Sequence, residues 1–319
     1  MNTIFDKLSL DRKKVKWEDY LYKPTPVENR NGIWFKRDDY FAPLGYSGPN
    51  GSKCRQLIWY MTKNMAGKNH VLTGASVQSP QISMSAIVGA HLGLRSRVVV
   101  YSKPHTVLGH DNPRIAAGFG AHFEYASAPY NPVLQRTVDA LRRENSLVVE
   151  YGITVDHKKH PEDLLGFHEV GANQTKNIPD EVETLIMPAG SCNSLCSILL
   201  GLYRDSKNIK QLYTVGIGPS KWKWVRERAE IMGINIDNLP FKWKHHSLHD
   251  TKYASYTDKF TGEEYDGIEF HPTYEAKIWR YLNSTQQLNF DDKSLFWIVG
   301  SAPRIKTIQP FFTESVNGL

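Results

Sequence analysis

The sequence predicts an α/β protein in which parallel sheets are flanked by helices and the mass divides into two lobes. Short apolar, β-branched runs alternate with longer helical patterns, the βαβα order that lays helices on both faces of a parallel sheet. Two strand-to-helix junctions carry small or polar residues, and 319 residues bury more core than one lobe usually holds. The strands are Val98 to Tyr101, Leu147 to Glu150, Thr184 to Met187 and Tyr213 to Ile217, each short, apolar and bounded by turn residues. Helical patterns run from Gln81 to Leu92, Asn131 to Asn145, Leu195 to Asp205 and Lys221 to Met232. From Gly233 to Asp266 the chain is rich in Lys, His, Trp, Tyr and Asp with weak periodicity, so long loops or an insertion are expected there. There is no internal repeat or low-complexity tract.

Charged residues make up 23% of the chain and apolar residues 40%, a globular composition that argues against disorder. No apolar run approaches the length of a bilayer span, and Met1 to Lys7 lacks the layout of a secretory signal, so a cytoplasmic protein is expected. Cys54, Cys192 and Cys196 are too few and too oddly spaced for a disulfide framework or a zinc site. His245, His246 and His249 have no cysteine or paired carboxylates nearby, and no metal is expected. The net charge of +6 permits an anionic ligand without requiring one.

Three loops hold residues that chemistry could use. In Ser47-Gly48-Pro49-Asn50-Gly51-Ser52-Lys53-Cys54-Arg55-Gln56-Leu57, Lys53 follows a Gly/Ser/Asn loop and opens an apolar helix. Partial desolvation and the helix dipole both lower an amine pKa there, and a partly neutral amine can form a Schiff base. A solvated lysine after a turn fits the same pattern. In Pro188-Ala189-Gly190-Ser191-Cys192-Asn193-Ser194-Leu195, small residues between a strand and a helix let backbone N–H groups converge on a phosphate. A plain tight turn would look alike, and the Gly-Lys-Ser/Thr ending of a Walker loop is absent. The stretch Leu72 to Gln81 repeats the layout, with Ser79 placed as an N-cap before Pro80. Capping needs no catalysis; the functional reading of Ser79 is a hydroxyl held over a cofactor face.

Taken together these segments resemble the fold type II pyridoxal-phosphate enzymes, the tryptophan synthase β-like superfamily, and within it the aminocyclopropane-carboxylate deaminase and D-cysteine desulfhydrase branch. The resemblance runs with gaps from Pro24 to about Gly300. Lys36-Arg37-Asp38-Asp39 is similar to the family's Lys-Arg-Glu/Asp-Asp, and Lys53-Cys54-Arg55-Gln56-Leu57 to its Lys-x-Arg-Lys-Leu. Ser76-Val77-Gln78-Ser79-Pro80-Gln81 resembles Gly-x-Gln-Ser-Asn-Gln, and Ala90-His91-Leu92-Gly93-Leu94 resembles Ala-His-Leu-Gly-Met. Gly190 to Ser194 falls at the phosphate loop, and His271-Pro272-Thr273-Tyr274-Glu275-Ala276-Lys277 is similar to Asp-Pro-x-Tyr-x-Gly-Lys.

The resemblance implies pyridoxal 5'-phosphate in a cleft between a small domain, 51–150, and a large discontinuous domain, 1–50 with 151–319. It implies a Schiff base at Lys53, the phosphate on Gly190, Ser191, Cys192, Asn193 and Ser194, and catalytic Ser79 and Tyr274. It also implies substrate contacts from Ser76, Gln78, Ser79 and Gln81, a homodimer, and a lyase or deaminase working at the α-carbon of an amino acid. Two departures stand out. Pro80 replaces the asparagine that bonds the cofactor's O3′, and Phe296-Trp297-Ile298-Val299-Gly300-Ser301 replaces Tyr-x-x-Leu-Gly-Gly, so the ring nitrogen meets Ser301 or no side chain.

Between Ser220 and His249 six Lys/Arg against three Asp/Glu interleave with tryptophans. Lys221, Lys223, Lys242 and Lys244 thus suit a nucleic acid, and with the lost ring contacts they motivate a second reading. In it the enzyme decarboxylates or eliminates from an amino acid attached to a nucleobase in DNA, a hypermodification. Trp222, Val225, Ala229 and Met232 also fall on one helical face, which a buried core would explain equally well. A third reading is a binding protein that keeps the fold without the chemistry.

Overall fold

The computed structural model describes residues 18–43, 50–218, 220–249, 251–253, 258–285, 288 and 290–302. Ser47, Gly48 and Pro49 of the loop before Lys53 lie outside the described residues. In chain order the elements begin α1 (Glu18–Leu21), β1 (Val27–Arg30), β2 (Ile33–Arg37), α2 (Gly51–Asn64), β3 (His70–Gly74), α3 (Pro80–His91) and β4 (Arg95–Val100). Next come α4 (Asp111–Gly118), β5 (His122–Tyr125), α5 (Asn131–Leu141), β6 (Ser146–Val149), α6 (Pro161–Ala172), β7 (Thr184–Ala189), α7 (Asn193–Asp205) and β8 (Gln211–Gly216). The chain continues with α8 (Trp222–Ile231), β9 (Lys242–Ser247), β10 (Glu264–Tyr265), β11 (Ile268–Glu269), α9 (Glu275–Thr285) and β12 (Ser294–Ile298).

Two sheets result. The larger has the order β1-β2-β12-β7-β8-β9, and the smaller the order β5-β4-β3-β6 with every pair parallel. In the larger sheet only β1 and β2 are antiparallel, joined at Asn31-Gly32, both with positive φ, the Asn-Gly pair that a two-residue hairpin demands. The smaller sheet's strands all lie between His70 and Val149.

Alternation along the strands of the larger sheet feeds two cores. Leu185, Met187, Leu295 and Trp297 face α7 and α8, meeting Leu195, Leu199, Val225 and Ala229. Ile186, Phe296 and Ile298 face the other way, onto Ala276, Ile278, Trp279 and Leu282 of α9. One core of the smaller sheet joins Leu57 and Met61 of α2, Val71 and Leu147 of the strands, and Phe167 of α6. Because α6 also packs on α7, that helix ties the two sheets together.

Three expectations need correction. The segment after Gly233 is not all loop: Lys242–Ser247 forms β9, a parallel edge strand on β8. Its pattern hid it, since an edge strand leaves Lys242, Lys244, His245 and Ser247 exposed while Trp243 and His246 alone turn partly inward. Trp222 is not core. It is 42% exposed and packs 4.7 Å from the ring of Trp243, whereas Val225 and Ala229 are buried as expected. The helix expected to reach Asn145 stops at Leu141, where Arg142 turns to extended backbone.

Candidate active site

Lys53 is the third residue of α2, and its setting is built by its neighbours. Ser52 Oγ donates to Asp38, and Arg55 Nη1 lies 2.5 Å from the other oxygen of Asp38, so one buried carboxylate grips residues on both sides of the lysine. The Arg55 guanidinium sits 4.3 Å from the centre of the Phe41 ring. Ser52 N–H donates to Val299 O at 3.0 Å, and Gly51, with φ +79°, would place a Cβ 2.1 Å from that carbonyl. Only glycine lets α2 start so close to the end of β12. Burial pushes the Lys53 amine down to about 8, and the charge of Lys221 pushes the same way.

The loop after β7 faces Lys53 across a cleft that Lys53, Gly190, Ser191, Cys192 and Ser194 help to line. Cys192 takes the left-handed conformation at φ 65° and starts α7 without a side-chain cap, and no acidic residue occupies the first turn. Helix N–H groups and the positive dipole end are therefore left for an anion. Burial raises the Cys192 thiol to about 11, so it stays neutral. Asn193 does other work: its amide donates to the carbonyls of Gly152 and Ile153 at 2.9 and 2.8 Å, tying the loop down.

Ser301 lines the cleft from the end of β12. Asn50 clamps it, Nδ2 donating to Ser301 Oγ at 2.9 Å while Oδ1 accepts the Ser301 N–H at 2.7 Å. A hydroxyl that accepts from Asn50 keeps its own hydrogen to donate. Tyr274 also lines the cleft, its ring 4.8 Å from that of His271. Sequence reasoning alone misses Asn50 and His271: Asn50 belongs to the Gly/Ser/Asn loop before Lys53 and His271 opens a motif without a role of its own, and their places in the cleft emerge only when β12 and α9 close on α2.

The substrate loop is less convergent. Ser79 caps α3, accepting the Gln81 N–H at 3.3 Å, and Pro80 behind it lines the cleft. Ser76 and Gln78 are exposed, and Gln78 Nε2 lies 3.1 Å from His110 Nδ1. Gln81 is 1% exposed and its amide is spent on Thr73, Val149, Glu150 and Gly152, so it braces the smaller sheet rather than facing the cleft. His245 bonds Thr214 and His246 bonds Tyr281 on opposite faces of β9.

An aldehyde-bearing phosphate cofactor fits these donors: an amine of lowered pKa, an uncapped helix N-terminus in a small-residue loop, and a hydroxyl poised to donate. No protein-family model matches the chain. The O-seryl-dTMP PLP-dependent decarboxylase of Salmonella phage ViI is 35% identical, over 96% of this chain and 88% of that protein. Solved structures share the fold. An ACC deaminase homologue matches with a TM-score of 0.69 at 19% identity, covering 98% of this chain and 99% of that one. Threonine deaminase isoform 2 from Solanum lycopersicum gives 0.57 at 12%, covering 92% and 84%. The O-acetylserine dependent cystathionine β-synthase of Helicobacter pylori gives 0.56 at 14%, covering 95% and 96%. The chain belongs to the pyridoxal-phosphate-dependent enzyme family of the phage decarboxylase, built on the two-domain fold type II scaffold.

Proposed function

We propose that this enzyme removes the α-carboxylate of a seryl group carried by a thymidine nucleotide, the substrate for which its phage relative is named. One observation favours decarboxylation over the lyase and deaminase chemistry: among the described residues that line the cleft there is no arginine and no carboxylate side chain. A guanidinium would hold a substrate carboxylate in its ionised ground state and oppose its departure as neutral carbon dioxide. The amine and the carboxyl must both be free, so the nucleotide has to be joined through the serine side-chain oxygen.

Lys53 would hold the cofactor aldehyde, Gly190 to Ser194 its phosphate and Ser301 its ring nitrogen. Bound pyridoxal phosphate supplies an electron sink for the pair left when the bond from Cα to the carboxylate breaks. Carbon dioxide leaves, and Cα takes up one proton. When not joined to the cofactor, Lys53, with a pKa of about 8, would be charged at neutral pH, and it is the group that would deliver that proton. Tyr274 and Ser79 orient the substrate from the large and small lobes.

The same reading extends to the surroundings. We place nucleic-acid contacts at Lys221, Lys223, Lys242 and Lys244, supported by Lys221 acting on Lys53 and Cys192 from the start of α8. Residues 51–150 form the small lobe in this reading, which the membership of the smaller sheet supports. A homodimer and a cytoplasmic location complete it by analogy.

The test is to incubate the cofactor-loaded enzyme with seryl-modified nucleotide and with DNA bearing it, and to weigh the products. Loss of carbon dioxide supports the proposal; release of ammonia, or no reaction with either, refutes it. DNA affinity that falls steeply with salt, with a flatter slope in Lys221→Ala and Lys223→Ala, would place the contacts.

A further inference from the structure

We propose that His271 is the hydrogen-bond donor to the substrate's carboxylate, acting through Nε2–H of a neutral imidazole; the role rests on the decarboxylase reading above. His271 lines the cleft with Lys53 and Tyr274. It also builds the turn that enters α9. Its carbonyl accepts the N–H groups of Tyr274 and Ala276, each at 3.1 Å, and its ring Nδ1 lies 3.1 Å from the backbone nitrogen of Thr273. A backbone N–H only donates, so Nδ1 is the acceptor and the single hydrogen of the neutral ring sits on Nε2.

The surroundings keep the ring neutral. Burial is the main cause, and the charged neighbours acting on it are both cations, Lys53 and Lys259. Lys259 is carried close by the bond from Phe260 N–H to Pro272 O, 3.0 Å long. Together they push the imidazole pKa down to about 3. His271 is thus a donor that neither gains nor loses charge through the neutral pH range.

The motif that this segment resembles starts with aspartate. An aspartate could accept the Thr273 N–H with one oxygen, but it would present the second as a negative acceptor. Histidine keeps the acceptor that holds the turn and exchanges the other atom for an N–H. That exchange suits a site that must hold a carboxylate and then release it: a charge-assisted bond would be lost as carbon dioxide forms, whereas a neutral donor orients the group at smaller cost. In the reading above the other cleft donors have their own roles: Asn50 holds Ser301, the Ser301 hydroxyl faces the ring nitrogen, Ser191 and Ser194 belong to the phosphate loop, Lys53 holds the cofactor, and Tyr274 orients the substrate beside His271.

Two measurements test this. In nitrogen-15 spectra of the full-length protein, His271 should show the Nε2–H tautomer and no titration above pH ~5; an Nδ1–H ring, or titration near an ordinary histidine pKa, overturns the proposal. Binding of the seryl nucleotide should weaken roughly tenfold or more in His271→Phe and His271→Asp, while binding of the decarboxylated aminoethyl product stays within about twofold. Equal losses for both ligands mean that the residue only packs the turn, and an unchanged seryl affinity removes the role; either overturns it. A wild-type enzyme that binds and turns over the seryl nucleotide while the variants match it defeats this role alone. A wild type that does not bind the nucleotide defeats the substrate reading and this role together.

Discussion

Glu275 offers a stability test whose sign and size come directly from its surroundings. The side chain is 0% exposed; Oε1 accepts the Val299 N–H at 2.9 Å and Oε2 has no hydrogen-bond partner. Burial raises its pKa from 4.5 to about 8, with the charge of Asp39 acting in the same direction. Between those two values the folded protein keeps a proton that the unfolded chain has released, so stability falls as pH rises through that window and levels off above about 8. At ~1.36 kcal/mol per unit, going from pH 5 to pH 7 costs roughly 2–3 kcal/mol. Glu275→Gln keeps the acceptor for Val299 and has no proton to lose. Any fixed cost of its unpaired amide is the same at every pH, so the slope is the readout. Urea unfolding of both proteins from pH 5 to pH 8 should show the variant gaining on the wild type by ~2–3 kcal/mol between pH 5 and 7. Parallel curves would mean that Glu275 is ionised in the fold, and the reasoning would fail.

Other perturbations address the lysine itself. Asp38→Ala leaves the buried Arg55 without its carboxylate and should cost ~3–5 kcal/mol in urea unfolding; a loss below ~1 kcal/mol would show that the pair does not hold the start of α2. Burial is the main cause of the lowered Lys53 pKa and Lys221 the next, so Lys221→Gln should raise the amine pKa above about 8 while burial still holds it below 10.5. Cofactor uptake, followed by stopped-flow absorbance, should then slow at pH 7.5 and shift its pH profile upward; an unshifted profile excludes the coupling. Borohydride should fix the cofactor covalently to wild-type protein at Lys53 and leave Lys53→Ala unlabelled, and label on another lysine would move the anchor.

How far the site was legible depended on how local each signal is. Lys53 after a Gly/Ser/Asn loop, and Gly190 to Ser194 between an apolar strand and an apolar helix, were legible as candidates in a few neighbouring positions, and the family resemblance gave them their expected roles. β9 did not, because an edge strand with exposed lysines lacks the apolar run that marks β7 and β8. Gln81 misled for a related reason: its place near Ser79 in the chain says nothing of whether its amide faces the cleft or, as here, Thr73 and Val149 in the smaller sheet and Glu150 and Gly152 just after it.

By itself the sequence determined the α/β class, since strand period, helix period and turn residues are short-range properties, and through its resemblance it proposed Lys53 and the loop from Gly190 to Ser194 as cofactor contacts. The tertiary structure alone decided that Asp38 grips α2 on both sides of Lys53, that Asn50 orients Ser301, and that His271 lines the cleft with its Nδ1 turned to the Thr273 N–H. Those contacts join residues far apart in the chain, and the charge state of each follows from desolvation and neighbours that exist only once the sheets have closed around them.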